Sequence, residues 1–155
     1  MAKELAVGMK APAFSLPDQD GKTVTLKSLK DKQVVLYFYP KDDTSGCTKE
    51  SCGFRDAMAS IKKAGAAVLG VSFDGQASHQ KFIAKYALPF TLLSDIEKAV
   101  ATAYDVYKEK SMYGRKYMGI ERSTFVIDAE GKLKAIFRKV KVDGHVDEVL
   151  AALRA

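Results

Sequence analysis

Short apolar runs, each with a spacing typical of one kind of element, alternate with polar loops along the chain. A hairpin is predicted at residues 13–26, where strand-like pieces flank the turn signal Asp18–Gly21. Continuous apolar runs predict strands that are buried on both faces of a sheet. These runs are residues 33–39 and 66–73, and another short strand is predicted at residues 90–95. Two more strands are expected in residues 122–140, on either side of the turn Asp128–Gly131.

Helical spacing separates these strands. Phe54, Met58 and Ile61 recur on one face of a helix that we predict over residues 47–64. The other predicted helices are residues 77–88, 96–107 and 145–155. Residues 108–121 predict a loop containing Gly114 and Gly119. Alternating strands and helices, followed by a late hairpin and a terminal helix, indicate an α/β protein with a central mixed sheet and helices on both faces.

The 155-residue length and the 47% hydrophobic content fit a single domain, residues 1–155, with one core. The N-terminus has no apolar run typical of a signal peptide, and no run is long enough to span a bilayer. We therefore expect a cytoplasmic protein without a membrane partner. The net charge of +6 is modest. The locally basic stretches 108–116 and 132–141 are interpreted as solvated faces, so no nucleic-acid partner is expected.

The chain has two cysteines, Cys47 and Cys52. A structural zinc site needs four ligands, and the chain offers only His79 and His145 besides the two thiols, without metal-ligand spacing. We expect neither a metal nor another cofactor. In a reducing compartment, a lone pair of cysteines is more typical of catalysis or redox activity than of a permanent disulfide.

Cys47 follows a predicted buried strand and opens a predicted helix. Unpaired backbone N–H groups and the positive end of the helix dipole would favour its thiolate there. Gly46, directly before it, leaves room for a small substrate. Cys47 is therefore a candidate nucleophile.

The spacing of the two cysteines implies movement if they are to pair. On one regular helix, five residues correspond to a Cα separation of roughly 8.6 Å, whereas a disulfide needs less than about 7 Å. A Cys47–Cys52 disulfide therefore requires the first turn or two of the helix to unwind. The alternative is that Cys52 is only a small apolar residue packed in the helix.

The segment "YFYPKDDTSGCTKESCGFRD" resembles the active-site segment of the peroxiredoxins, which are thiol peroxidases with a thioredoxin-like fold. Their signature proline, threonine and peroxidatic cysteine match Pro40, Thr44 and Cys47. A second cysteine five residues on, Cys52, resembles the bacterioferritin-comigratory-protein (Q-type) branch. The resemblance extends through "GMKAPAFSLPDQDGKTVTLKSL", "LLSD" and "ERSTFVID", so it covers nearly the whole chain.

The resemblance implies a thioredoxin-like fold with an N-terminal hairpin extension, and reduction of hydrogen peroxide and small organic hydroperoxides. Cys47 would attack the peroxide and become a sulfenic acid, with which Cys52 would form an intramolecular disulfide. A thioredoxin-type dithiol protein would then reduce that disulfide. Branch members are often monomeric, so we expect a monomer.

Donors aimed at the peroxide oxygens are part of the same expectation. The arginine that enters the family's active site matches Arg122, which would favour the Cys47 thiolate. Thr44 and backbone N–H groups would supply further hydrogen bonds, and Pro40 would shield the sulfur.

Several points stay open. Branch members often have proline where this chain has Ser45, which could loosen the loop. Glu50 could hold Arg122 in place or act only as a first-turn acid. His79, near a helix start, is interpreted as a surface or capping residue. The competing functions are a protein thiol–disulfide oxidoreductase, whose cysteines are usually two residues apart, and a redox-sensing module.

Overall fold

The computed structural model describes residues 4–155 as a mixed sheet with helices on both faces. The strands are β1 (Ser15–Pro17), β2 (Thr23–Thr25), β3 (Gln33–Phe38), β4 (Ala66–Ser72), β5 (Thr91–Ser94), β6 (Tyr107–Met112), β7 (Arg115–Ile120), β8 (Ser123–Ile127) and β9 (Leu133–Phe137). The α-helices are α1 (Ser45–Asp56), α2 (Met58–Lys63), α3 (Gln76–Tyr86), α4 (Ala99–Ala103) and α5 (His145–Arg154), and a 3-10 turn covers Lys27–Leu29.

The central sheet has the strand order β5-β4-β3-β8-β9. β3 lies in the middle, parallel to β4 and antiparallel to β8, and Val34–Phe38 are all buried. Because both of its faces are covered, β3 has a continuous apolar run instead of an alternating one. The predicted mixed sheet is confirmed, as is the N-terminal hairpin of β1 and β2.

Alternate residues of β3 enter two separate cores. Val35 and Tyr37 pack on the side covered by α1, α2, α3 and α5. Leu36 and Phe38 pack on the opposite side, beneath β1, α4 and the segment that leads to β8. The first core positions the helix that carries both cysteines. No helix among residues 4–155 is long and apolar enough to cross a bilayer.

The structure corrects three predicted boundaries. The helix predicted over residues 47–64 is two helices, α1 and α2, which are separated at Ala57 (φ −97°, ψ 3°). The helix predicted over residues 96–107 is reduced to α4, because Lys98 and Asp105 at its two ends have positive φ values of 65° and 57°.

The predicted loop at residues 108–121 is a β-hairpin formed by β6 and β7. Its turn residues Tyr113 and Gly114 have φ values of 52° and 79°, as a tight two-residue hairpin turn requires. The sequence Tyr-Gly lacks the Asn-Gly or Asp-Gly pair that normally signals such a turn, so the hairpin was missed.

Candidate active site

Cys47 lies in the first turn of α1, beyond the loop that follows β3. Thr44 precedes the helix in an extended conformation (φ −93°, ψ 157°), and the backbone N–H of Thr48 donates to the Thr44 carbonyl at 2.8 Å. No side chain caps this end of α1 in the described structure. The N–H groups of the first turn, to which Cys47 belongs, therefore have no partner within the helix. Cys47 itself is only 1% exposed.

Arg122 lies between β7 and β8 and reaches the start of α1. Its Nη2 donates to Cys47 Sγ at 3.3 Å, and its Nη1 donates to Glu50 Oε1 at 2.7 Å. A Cβ atom added at Gly46 would be 3.1 Å from Arg122 Nη2, so the absence of a side chain there lets the guanidinium approach. The structure thus brings Arg122 to Cys47, as the resemblance implied for its position.

Glu50 is a buried carboxylate, 1% exposed, and it holds one side of the Arg122 guanidinium. Its Oε2 has no hydrogen-bond partner among residues 4–155. Burial raises the pKa of Glu50 to about 7, against the opposing effect of the Arg122 charge. The sequence left open whether Glu50 holds Arg122 in place or acts only as a first-turn acid. The structure shows the contact with Arg122.

Thr44 and Pro40 belong to the loop before α1. The Thr44 hydroxyl donates to the Lys41 carbonyl at 2.9 Å, so its lone pairs remain to accept a hydrogen bond. Thr44 was expected to donate to the peroxide, and in this conformation its proton is directed to the Lys41 carbonyl. Pro40 is half-buried and follows Tyr39, whose N–H donates to the Val71 carbonyl at 3.0 Å.

Cys52 is on the same helix as Cys47, and both thiols are free. Cys52 is half-buried and lines a groove of about 370 Å³ between α1 and the start of α5, together with Gly53, His145 and Val146. The two sulfurs therefore sit in different surroundings. With both thiols free, α1 is continuous from Ser45 to Asp56.

Lys110 is a nearby cation that the sequence did not single out. Its Nζ donates to the Ile120 carbonyl at 2.8 Å. Burial and the charge of Arg122 lower the pKa of Lys110, while the negative charge of Cys47 opposes that change. Lys110 is thus close enough to add positive potential at the sulfur. The basic stretch 108–116 therefore borders the site through Lys110, and is not merely a solvated face.

One group of possible metal ligands occurs among residues 4–155, formed by Asp42, Asp74 and His79 with ligand atoms within 4.8 Å of one another. These atoms already hydrogen-bond to protein partners. His79 Nδ1 lies 2.7 Å from Asp42 Oδ2, and Asp74 Oδ2 accepts from the Asp42 N–H at 2.8 Å. Within the same residues, neither cysteine belongs to such a group.

Comparison with known proteins identifies the family. The model of the AhpC/TSA family matches residues 7–136, which is most of the chain. The chain belongs to the AhpC/TSA family. Its relatives place it among the peroxiredoxins, as the resemblance implied. It is 56% identical over 149 residues to the putative peroxiredoxin bcp of Coxiella burnetii, covering 96% of this chain and 99% of that protein.

Other matches agree. The peroxiredoxin Bcp of Bacillus subtilis is 51% identical over 150 residues, covering 97% of this chain and 96% of that protein. The structure of Xanthomonas campestris peroxiredoxin Q superposes with a TM-score of 0.89 at 45% identity and covers 96% of each chain. A second structure, of the X. campestris bacterioferritin comigratory protein with alkyl peroxide reduction activity, has a TM-score of 0.89 at 44% identity, covering 96% of this chain and 98% of that one. The thioredoxin-like fold of this peroxiredoxin is thereby confirmed, and the chain is an enzyme that acts on peroxides with a thiol reductant.

Proposed function

We propose that this peroxiredoxin reduces hydrogen peroxide and small organic hydroperoxides with Cys47 as nucleophile and Cys52 as resolving thiol, and that a thioredoxin-type dithiol protein regenerates it. The observation that carries this proposal is the Arg122 guanidinium, which bridges Cys47 Sγ and Glu50 at the start of α1. We also propose that the cycle needs one chain only, because both thiols are on the same helix.

The surroundings of Cys47 support the thiolate, which is the form that attacks a peroxide. Arg122 and Lys110 are cations near the sulfur, and Cys47 lies in the first turn of α1, at the positive end of the helix dipole. The same groups can stabilise charge on the peroxide oxygens as the O–O bond breaks. Gly46 leaves room for the Arg122 guanidinium beside the start of α1.

The first step forms one S–O bond and breaks the O–O bond. The Cys47 thiolate attacks one oxygen of ROOH, the other oxygen leaves with the electron pair of the O–O bond and takes up a proton, and the products are Cys47–SOH and ROH. Thr44 Oγ1, whose own proton is directed to Lys41, can accept a hydrogen bond from the O–H of the bound hydroperoxide. That contact would orient the substrate.

The second step joins the two cysteines. The Cys52 thiol condenses with Cys47–SOH, which gives a disulfide and one molecule of water. Cys47 and Cys52 are five residues apart on α1, so their Cα atoms are roughly 8.6 Å apart. A disulfide needs less than about 7 Å, and α1 must therefore unwind between the two cysteines. An external dithiol then reduces the disulfide to the two thiols and becomes a disulfide itself.

A single-turnover reaction tests the proposal. Reduced protein is mixed with one equivalent of hydrogen peroxide, quenched at intervals with an alkylating reagent and weighed by mass spectrometry. We expect both thiols to disappear within seconds, with the loss of two hydrogen atoms and no added oxygen. Slow or absent oxidation would refute the peroxidase chemistry at Cys47 and favour a thiol–disulfide exchange or sensor role.

Two variants assign the roles of the cysteines. Cys47→Ser should leave Cys52 unreacted and abolish turnover, whereas Cys52→Ser should accumulate Cys47 as a sulfenic acid that a dimedone probe traps. The resolving assignment is wrong if Cys52→Ser turns over normally with thioredoxin. Size-exclusion chromatography with light scattering tests the proposed monomer in both redox states.

A further inference from the structure

A buried hydrogen-bond network ties the loop before α1 to α3. Asp42 is 8% exposed, and its carboxylate accepts from the Tyr39 hydroxyl and, at 2.8 Å, from the Ser78 hydroxyl. His79, which is completely buried, places Nδ1 2.7 Å from Asp42 Oδ2. The interpretation of His79 as a surface or capping residue is therefore wrong. Its ring faces inward from α3, not toward solvent.

The contacts of the His79 ring define where its protons lie. Nε2 is 3.1 Å from the Leu93 carbonyl oxygen, which can only accept, so Nε2 carries a hydrogen and donates it. Nδ1 is 2.7 Å from Asp42 Oδ2, and two lone pairs would repel each other at this distance. A proton must therefore lie between Nδ1 and Oδ2, bound to one of the two atoms. The hydrogen bond between His79 and Asp42 thus involves a charged or acidic partner, which makes it stronger than a bond between neutral groups.

The loop has further tethers next to Asp42. The Asp42 N–H donates to Asp74 Oδ2 at 2.8 Å. Asp43 accepts from Lys85 Nζ and from the Tyr86 hydroxyl, each at 2.8 Å, and these two contacts lower the pKa of Asp43. Both Lys85 and Tyr86 belong to α3. Beyond Asp43, the Thr44 side chain bonds only back to the loop itself, at the Lys41 carbonyl.

The tethers between this loop and α3 end at Asp43, four residues before the nucleophile. Asp43 also has a positive φ of 58°, so the chain turns at this point as it enters α1. On the proposed cycle, the segment that unwinds lies beyond Asp43 and contains Cys47. A fixed loop defines where α1 begins, and hence where the first-turn N–H groups and the sulfur stand relative to Arg122.

We propose that His79 is a positioning residue for the peroxidase. Through Asp42 it fixes residues 39–43 on α3, which keeps Cys47 aligned with Arg122 in the reduced state and confines the unwinding to α1 in the disulfide state. His79 touches neither sulfur and acts through Asp42. This inference rests on the proposed roles of Cys47 and Cys52.

Two near-isosteric variants separate the two contacts of the ring. The side-chain amide of asparagine places a donor near the position of Nδ1, and that of glutamine places one near Nε2. His79→Asn therefore keeps a donor to Asp42 and loses the contact with Leu93, while His79→Gln does the opposite. Gln80→Asn is the matched control, because Gln80 is on the same helix and bonds the Gln19 carbonyl instead of the loop.

The rate constant for oxidation of Cys47 is measured for each variant in the Cys52→Ser background, so that only the first step is observed. We expect His79→Gln to lower it by about tenfold, and His79→Asn to stay within about threefold of the parent, because small misplacements of reacting groups cost rate. Gln80→Asn should not change it. Equal rates for the asparagine and glutamine variants would overturn the positioning role, even with a parent that reacts rapidly. A parent that does not react would instead refute the proposed function.

The second readout needs no variant of His79 and holds if the variants do not fold. Hydrogen exchange is compared between the reduced and the disulfide form of the wild-type protein. The amides of Tyr39 and Asp42, which donate to the Val71 carbonyl and to Asp74 Oδ2, should keep their protection in both forms, while the amides of residues 48–52, which bond within α1, should lose protection in the disulfide form. Loss of protection across both segments would overturn the inference, because the loop would then move with the helix.

Discussion

The buried Glu50 predicts an unusual dependence of stability on pH. An ordinary glutamate has a pKa of 4.5, and burial raises the pKa of Glu50 to about 7. Between these values the folded protein holds a proton on Glu50 that the unfolded chain has lost. The stabilisation is fully present below pH 4.5 and is lost as the pH rises through about 7.

The magnitude follows from the displacement of the pKa. Moving a carboxyl group from 4.5 to about 7 corresponds to about 3 kcal/mol, since each pKa unit is equivalent to about 1.4 kcal/mol. Replacement of Glu50 by glutamine removes the titration, while the amide oxygen can still accept the bond from Arg122 Nη1. Between about pH 4.5 and pH 8, the free energy of unfolding of the parent, which keeps Glu50, should therefore fall by up to about 3 kcal/mol more than that of Glu50→Gln.

The assay is urea unfolding followed by far-ultraviolet circular dichroism across this pH range. Both proteins carry Cys47→Ser, so that neither can be oxidised at the nucleophile during the experiment. Glu97→Gln is the matched control, because Glu97 is an exposed carboxylate. Its pH profile should parallel that of the parent. If Glu50→Gln also parallels the parent, Glu50 does not titrate between these values and the reasoning from its burial fails.

The remaining predictions concern the nucleophile and the helix that carries it. Arg122→Lys keeps the charge but cannot bridge two groups, so oxidation of Cys47 by peroxide should slow by about 100-fold in competition kinetics, and a change below about threefold would contradict the bridging role. Tyr37→Phe removes the buried hydrogen bond of 2.8 Å to Ser51 Oγ on α1, which should make α1 easier to unwind. Disulfide formation, followed by quenching and mass spectrometry, should become faster by up to about tenfold. An unchanged rate would show that this bond does not resist unwinding. Ser45→Pro fits the first position of α1, because the residue before it is already extended (φ −93°, ψ 157°). It should stabilise the reduced protein by about 0.4–1 kcal/mol in urea unfolding and slow disulfide formation, and a loss of stability would refute this fit.

The sequence predicted the elements whose signal is local. The run 33–39 is apolar on both faces, and β3 is buried on both faces, because the same property decides the pattern and the packing. The prediction failed where distant residues decide the conformation. The hairpin of β6 and β7 depends on pairing between strands and on positive φ values at Tyr113 and Gly114, neither of which apolar periodicity reports.

The candidate site divides in the same way. Cys47 could be singled out because its position after a strand and at a helix start is a local feature. Arg122 was found only through the resemblance, since 75 residues separate it from Cys47. Asp42 and His79 were missed because they meet only when α3 packs beside the loop, 37 residues further along the chain. Buried polar pairs of this kind leave no periodic trace in a single sequence.

The composition of α1 explains how one helix can be both ordered and ready to unwind. Its sequence, "SGCTKESCGFRD", contains two glycines and several serine, threonine and cysteine residues, which are weak helix formers, and no side chain caps its start. Tertiary contacts must therefore hold it. Two of them are made by Glu50 and Ser51, which lie between the cysteines. On the proposed cycle, oxidation of Cys47 removes the negative charge that faces Arg122, and the folded helix loses that stabilising contact. The helix is therefore less stable at the step in which it must unwind, formation of the disulfide with Cys52.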